Sequence, residues 1–402
     1  MPEVGTTVPK AAGRVLDWPV PHAASAVVAA DGTLLAAAGE QERPFRLASV
    51  TKLLTAYAVL LAVEEGAVEW DTPAGPEGST VRHLAAHASG LSFSEAVVQA
   101  APVGFDVART LAKLGDLASD AAGKRAKLAV FPEAFVSAYP KGLDFGARVG
   151  ARTAEGRDMF RRYYESAIDV PGPACEQIGE IARANAMHLV VGVIERDGGT
   201  LYCTVLFFTA AGELAAKHRK VMPTAMERLI WGTGDGSTLA VVDSPLGRIG
   251  AVICWENYMP LLRTAMYAKG VELYCAPTVD CRRTWAPSMR HIAIEGRCFV
   301  LSACQYARRS DYPADYPLDM APLADADNDP VLIDGGSLIV DPLGEVLAGP
   351  NHDGECILAA EIERGRVAGG KYDLDVVGHY ARPDIFQLHV DARAKAAVTT
   401  VK

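Results

Sequence analysis

Three side chains with complementary chemistry each stand at the end of a run that is typical of a buried β-strand. Cys254 closes the apolar run Arg248 to Ile253, and Glu133 follows the run Lys127 to Phe131. Lys220 lies in a basic segment, predicted as a loop, after a third, alternating run. A lone cysteine in a strand is most often a packed structural thiol. A carboxylate and an ammonium group at other strand ends instead favour a nucleophilic thiol assisted by groups that move protons.

The segments around these side chains occur in the order found in the nitrilase branch of the carbon–nitrogen hydrolase superfamily. Glu133 lies in F-P-E-A-F, Lys220 in H-R-K-V-M-P-T and Cys254 in C-W-E-N-Y-M-P. The chain resembles this family from about Glu95 to Leu388. The resemblance implies a Glu-Lys-Cys triad that acts on a small-molecule nitrile, without a cofactor or a metal ion.

The resemblance also gives each residue a task. Cys254 would attack as a thiolate, and Glu133 would take the thiol proton and later activate water. Lys220 would stabilise developing negative charge, helped by the backbone N–H of Trp255. Glu227, in M-E-R-L-I-W-G, matches a second family carboxylate that supports Lys220, although a solvated helix glutamate is the alternative. The expected products are a carboxylic acid and ammonia, formed through a thioimidate and an acyl thioester.

Related reactions stay open at this point. An aliphatic amidase or a cyanide hydratase or dihydratase would use the same triad on the same scaffold. The C-W-E-N motif and the late G-H-Y-A-R-P-D segment favour a nitrilase. Whether the nitrile is aromatic, arylaliphatic or aliphatic depends on loop packing, which sequence patterns do not predict.

The predicted elements that would position these groups are strands and helices in alternation. Two sheets with helices on their outer faces would use them up, as in the α/β four-layer αββα sandwich that the resemblance implies, although periodicity alone allows other α/β folds. Besides the runs named above, the predicted helices are Val107 to Ala122 and Cys175 to Ala186, and the predicted strands are His188 to Glu195, Leu201 to Thr209, Thr238 to Asp243, Val271 to Ala276, Phe299 to Ala303, Ser337 to Asp341 and Cys356 to Glu361.

The first 93 residues carry a different pattern. Ala23 to Ala38 predicts a hairpin around an Asp31-Gly32 turn. A helix is predicted from near Ser49 to Gly66, where the glycine stops it. These elements do not continue the strand and helix alternation of the rest of the chain.

The opening of this helix is an S-x-x-K motif. Its Lys52 lies one helical turn after Ser49, a spacing that can activate a serine nucleophile. Over about Phe45 to Leu91 the chain resembles the serine β-lactamase and penicillin-binding-protein family, but the later motifs of that family are missing. We therefore predict a truncated, non-functional β-lactamase-like segment over residues 1–93, joined without a linker to a nitrilase domain over residues 94–402. A β-lactamase-like activity at Ser49 is the less favoured alternative.

Composition limits the possible partners and the compartment. The formal net charge of −10 argues against nucleic acid and anionic membranes as partners, since both require a basic face. No apolar run approaches the roughly 18 residues that span a bilayer. We expect a cytoplasmic protein whose eight cysteines, including Cys281, are mostly free packed thiols. A homo-oligomer is expected from the family resemblance alone.

Overall fold

The computed structural model describes residues 24–28, 34–39, 60, 62–73, 80–81, 94–148, 150–318, 329–396 and 398. The chain divides into two compact units, Met1–Leu91 and Ser92–Lys402. In the first unit, β1 (Ala24–Val28) pairs antiparallel with β2 (Leu34–Gly39), which confirms the strands of the predicted hairpin. The Asp31-Gly32 turn and the S-x-x-K pair, Ser49 and Lys52, lie outside the described residues.

The second unit consists of alternating strands and helices with short 3-10 turns. Its strands and helices are, in chain order, β3 (Ser94–Gln99), α1 (Val107–Gly123), β4 (Ala126–Val130), α2 (Ala154–Glu165), β5 (Ile168–Asp169), α3 (Pro173–Ala184), β6 (His188–Asp197), β7 (Thr200–Phe208), β8 (Leu214–Arg219), β9 (Val241–Ser244), β10 (Gly247–Ala251), α4 (Pro260–Ala268), β11 (Leu273–Cys275), α5 (Trp285–Gly296), β12 (Phe299–Ser302), β13 (Tyr306–Arg308), β14 (Val331–Asp334), β15 (Ser337–Val340), β16 (Val346–Asn351), β17 (Cys356–Glu361) and α6 (Gly365–Gly370).

These strands form two large mixed sheets. The first sheet has the order β17-β3-β4-β6-β7-β8, with β5 beside β6, and the second has the order β16-β15-β12-β11-β10-β9. One apolar cluster fills the space between the sheets, a second packs α1 and α3 on the first sheet, and a third packs α4 and α5 on the second. The predicted four-layer αββα sandwich is therefore confirmed.

Side-chain alternation along the strands explains why both faces of each sheet are buried. In β4, Leu128 and Val130 belong to the cluster between the sheets, whereas Ala129 belongs to the cluster under the helices. Successive strand residues point to opposite faces, so a strand buried on both sides reads as one continuous apolar run. On α1, Leu111 and Leu114 lie on one buried stripe, three residues apart.

Three sequence predictions about these elements are wrong in detail. The strand predicted to reach Cys254 ends at Ala251, and Cys254 begins a 3-10 turn, Cys254–Tyr258. The segment before Lys220, predicted as a loop, forms β8 because it pairs with β7 at the sheet edge. The strand predicted from Thr238 starts only at Val241, since a 3-10 turn precedes it. Polar edge strands and short turns lack the apolar periodicity on which such predictions depend.

Two further features are the state of the cysteines and the character of the helices. All eight cysteines are free, as predicted. Among the described residues, no helix combines the length and the apolar character needed to cross a membrane.

Candidate active site

Three strand ends bring the predicted site residues together. Glu133 lies just after β4 and Lys220 directly follows β8, both in the first sheet, while Cys254 lies just after β10 in the second sheet. The amide nitrogen of Gln305, which follows β12 of the second sheet, donates to the backbone oxygen of Glu133 at 2.7 Å. The site therefore lies at the edge of the interface between the two sheets.

A single ammonium group lies between two carboxylates. The Nζ atom of Lys220 is 2.6 Å from Oε1 of Glu133 and 2.8 Å from Oε2 of Glu227. Glu227 also accepts hydrogen bonds from the hydroxyl of Tyr139 at 2.8 Å and from the backbone N–H of Thr224 at 2.6 Å. Its side chain is only 10% exposed, so Glu227 is part of the site and not a solvated helix glutamate.

Burial sets the electrostatics of this pair. Desolvation raises the pKa of Glu133, with Lys220 opposing the shift and Glu227 adding to it. Burial by itself would lower the pKa of Lys220, but the charges of Glu133 and Cys254 outweigh it, and the pKa lies well above its ordinary value. Lys220 is therefore a permanent cation, suited to stabilising negative charge, whereas Glu133 is a carboxylate with raised basicity.

Cys254 adopts a backbone conformation that is rare for residues other than glycine. Its φ angle is +52°, its N–H donates to the backbone oxygen of Pro277 at 2.9 Å, and the side-chain amide of Asn257 donates to its carbonyl at 2.7 Å. Such left-handed residues concentrate at functional sites, where surrounding contacts hold them. The hydroxyl of Thr278 donates to Sγ at 3.2 Å. Sequence reasoning missed Asn257 as a partner of the Cys254 backbone and Thr278 as a partner of its thiol.

The surroundings of the Cys254 thiol favour its protonated form. Burial raises the pKa of Cys254, and the negative charge of Glu133 raises it further, while Lys220 opposes the shift. The interaction with Cys254 in turn lowers the pKa of Glu133. A thiolate at this position would therefore require transfer of the proton to a nearby base.

A cavity of about 200 Å³ opens over the thiol. Tyr139, Cys254, Trp255, Cys281 and Arg282 are among its lining residues. The backbone N–H of Trp255 donates no hydrogen bond within the described part of the chain, and its ring Nε1 donates to Asp280 at 2.8 Å. The N–H group is thus free to receive an oxyanion or a developing nitrogen anion.

Two larger cavities lie in the second unit, and one of them adjoins the cavity over the thiol. One of about 430 Å³ shares Tyr139 and Thr224 with the cavity over the thiol and is otherwise lined largely by apolar residues such as Ile230 and Trp231. Another, of about 740 Å³, is lined by residues around Phe105 and Tyr312 and by no member of the predicted triad. The cavity over the predicted triad is therefore smaller than either of these two.

Comparison with known proteins identifies the class to which this fold and site belong. The carbon–nitrogen hydrolase family matches residues 96–372, and the β-lactamase family matches residues 21–126. The second match extends beyond the predicted boundary at residue 93, through α1 to the first residue of β4 in the second unit. The chain belongs to the carbon–nitrogen hydrolase family.

Within this family, the chain is similar to nitrilases in sequence and to an amidase in fold. The chain is 57% identical to an aliphatic nitrilase of Sinorhizobium fredii over 77% of its own length and 98% of that protein. It is 54% identical to a bifunctional nitrilase/nitrile hydratase of Nicotiana tabacum, over 75% of this chain and 87% of that one. A Nesterenkonia amidase of the nitrilase superfamily shares the fold, with a TM-score of 0.52 and 19% identity over 71% of this chain and 97% of that chain.

Proposed function

We propose that the chain is a nitrilase in which Cys254 is the nucleophile, Glu133 the acid–base group and Lys220 the cation that stabilises negative charge. The observation that carries the proposal is the fully buried contact of 2.6 Å between Glu133 and Lys220, beside a thiol at the floor of a cavity. The nitrilases of Sinorhizobium and Nicotiana support the choice of a nitrile as substrate.

The first step joins the thiol to the nitrile carbon. Glu133 takes the proton of Cys254 as the sulfur attacks, and the proton passes to the nitrile nitrogen, which leaves a thioimidate. Oε2 of Glu133 is buried and has no hydrogen-bond partner among the described residues, so it is available for this transfer. Lys220 and the free N–H of Trp255 stabilise the negative charge that develops on nitrogen.

Two water molecules complete the reaction. Glu133 removes a proton from the first water as that water adds to the thioimidate carbon. Glu133 then passes a proton to the amino nitrogen of the intermediate, which leaves as ammonia and gives an acyl thioester. A second water, activated in the same way, releases the carboxylic acid and restores the Cys254 thiol. Lys220 stays charged throughout because two carboxylates flank it.

Glu227 holds the cation in place. It accepts a hydrogen bond from the ammonium group of Lys220 at 2.8 Å and is itself held by the hydroxyl of Tyr139. This arrangement keeps the ammonium group near the reacting carbon when the proton on Glu133 moves.

The intermediate formed by the first water also has a second outcome. If it expels the Cys254 sulfur before ammonia, the product is an amide. The Nicotiana relative is described as a nitrilase and a nitrile hydratase, which supports a minor amide product here. The ratio of acid to amide, measured by chromatography, reports which group leaves.

The deciding experiment compares the two thiols that line the cavity. We expect Cys254→Ala to abolish ammonia release from a nitrile panel, and Cys281→Ala to remain within a few-fold of wild type. Intact-mass spectrometry after rapid quenching should find an acyl or imidoyl adduct in wild type and in Cys281→Ala only. Retention of more than about a tenth of the wild-type rate by Cys254→Ala would refute the proposal.

We also propose a homo-oligomer that works in the cytoplasm. Exposed apolar side chains support self-association, among them Leu261 on α4, which is 68% exposed, and Phe386 near the C-terminus, which is 78% exposed. Light scattering at working concentration tests the oligomer, and a monomer would contradict it.

A further inference from the structure

One buried carboxylate bridges the segments that carry two of the proposed catalytic residues. Oε1 of Glu256 accepts the backbone N–H of Val221 at 2.6 Å, and Oε2 accepts the backbone N–H of Ile253, also at 2.6 Å. Val221 directly follows Lys220, and Ile253 directly precedes Cys254. Glu256 is fully buried.

This bridge crosses between the two sheets. The backbone N–H of Lys220 bonds to Cys203 of β7 in its own sheet, and that of Cys254 bonds to Pro277, which follows β11 in its own sheet. Those bonds fix each residue within its own sheet only. The carboxylate of Glu256 ties the two segments to each other.

A buried histidine holds this carboxylate. Nε2 of His218 is 3.0 Å from Oε2 of Glu256, and Nδ1 is 3.1 Å from the carbonyl oxygen of Thr238. A carbonyl oxygen only accepts, so Nδ1 carries a proton, and one further proton lies between Nε2 and the carboxylate. The pair is neutral as a whole, and both side chains are fully buried. Neither residue lines the cavity over the thiol.

We infer that Glu256, held by His218, is a positioning residue that fixes the Cys254 thiol relative to the Lys220–Glu133 pair. The inference rests on the triad proposed above. A misplacement of about 1 Å between reacting groups can cost about 100-fold in rate. Two short hydrogen bonds from one rigid carboxylate limit such a misplacement, because they fix both segments to the same group.

The test substitutes the carboxylate by the amide of the same shape. In Glu256→Gln only one side-chain oxygen remains to accept, so one of the two backbone N–H groups loses its partner. We expect kcat on a nitrile to fall about 100-fold while KM changes less than a few-fold. The pH profile of iodoacetamide alkylation of Cys254 should also shift, because the distance from the thiol to Lys220 is no longer fixed.

Asp341 offers a matched control. It is also a fully buried carboxylate: its Oδ1 accepts the backbone N–H groups of Leu343 at 3.0 Å and Glu345 at 2.8 Å, and its Oδ2 pairs with the guanidinium of Arg366, an ion pair that the amide would lose. Asp341 follows β15, which runs antiparallel to β12, whereas β10, β11 and β12 are parallel. Asp341 and Cys254 therefore lie at opposite ends of the strands of this sheet. Asp341→Asn should lower the melting temperature without changing the KM, the kcat or the alkylation profile of the folded enzyme.

The outcomes separate positioning from stability. If Glu256→Gln behaves like Asp341→Asn, with only the melting temperature changed, the positioning role is refuted. Should Glu256→Gln fail to fold, His218→Gln decides by the same measurements, with the same direction expected. Cys254→Ala is measured in parallel, since an active Cys254→Ala would refute the triad itself whatever Glu256 does.

Discussion

A Cβ atom on Gly192 would lie 2.8 Å from the Cα atom of Glu133. The same Cβ would lie 2.1 Å from the backbone oxygen of Pro132. These distances are shorter than real Cβ atoms show, so strand β6 approaches the backbone of Glu133 more closely than any side chain permits. The backbone oxygen of Gly192 also accepts the N–H of Val136 at 3.0 Å, which fixes the far side of the same loop. The position of Glu133 thus depends on a residue without a side chain.

Gly192→Ala should therefore displace Glu133 and lower both activity and stability. We expect a loss of about 1–3 kcal/mol in the free energy of unfolding, typical of overpacking, together with a lower kcat. Gly199→Ala is the matched control, because a Cβ on Gly199 would meet no atom within 4 Å. Urea unfolding and ammonia release measure the two effects, and equal behaviour of the two variants would contradict this account of Gly192.

Lys220→Met should be strongly destabilising as well as inactive. The substitution leaves Glu133 and Glu227 in a buried site without the cation that lies between them. Removing one partner of a buried ion pair typically costs about 3–5 kcal/mol. The pKa of Glu133 is already raised by burial, and loss of Lys220 raises it further, so the destabilisation should shrink as the pH falls and the carboxylate takes up a proton. A pH-independent difference in urea unfolding would contradict this prediction.

Glu95 in β3 predicts how stability depends on pH. Its side chain is buried, and desolvation raises the pKa from 4.5 to about 8. Because the folded-state pKa lies above that of the unfolded chain, the contribution to stability is present below about pH 4.5 and is lost as the pH rises to about 8. Between pH 5 and pH 8 the loss amounts to about 3 kcal/mol.

The variant Glu95→Gln removes this titration. It should be more stable than wild type at pH 8, with a flatter dependence of the free energy of unfolding on pH. Glu180→Gln, at an exposed position on α3, serves as the control and should leave the dependence unchanged. Parallel wild-type and Glu95→Gln curves would show that Glu95 does not carry the effect.

Deletion of residues 1–92 should leave nitrile hydrolysis within a few-fold of the full-length rate. The hydrogen bonds that we describe for Glu133, Lys220 and Cys254 all lie within the second unit. The Sinorhizobium nitrilase is matched over 98% of its length by 308 residues of this chain, so part of this chain lies outside that match. We also expect Ser49→Ala to leave the turnover of both a nitrile and nitrocefin unchanged. Nitrocefin turnover that disappears in Ser49→Ala would show a function for the segment.

The sequence by itself determined the chemical groups, their order and most of the strands that carry them. Short apolar or alternating runs of residues predicted most strands of both sheets, because the pattern of a strand is a local property of the chain. The three motifs predicted which carboxylate, ammonium group and thiol belong to the site. The structure brings Glu133, Lys220 and Glu227 into direct contact.

The tertiary structure alone decided how these groups are held. Glu133 and Lys220 are 87 positions apart, and no local pattern encodes a distance of 2.6 Å between them. The bridge that Glu256 makes between Val221 and Ile253 likewise depends on contacts from both sheets. Local patterns record which face of an element is buried, whereas the geometry of a site depends on which distant elements meet there.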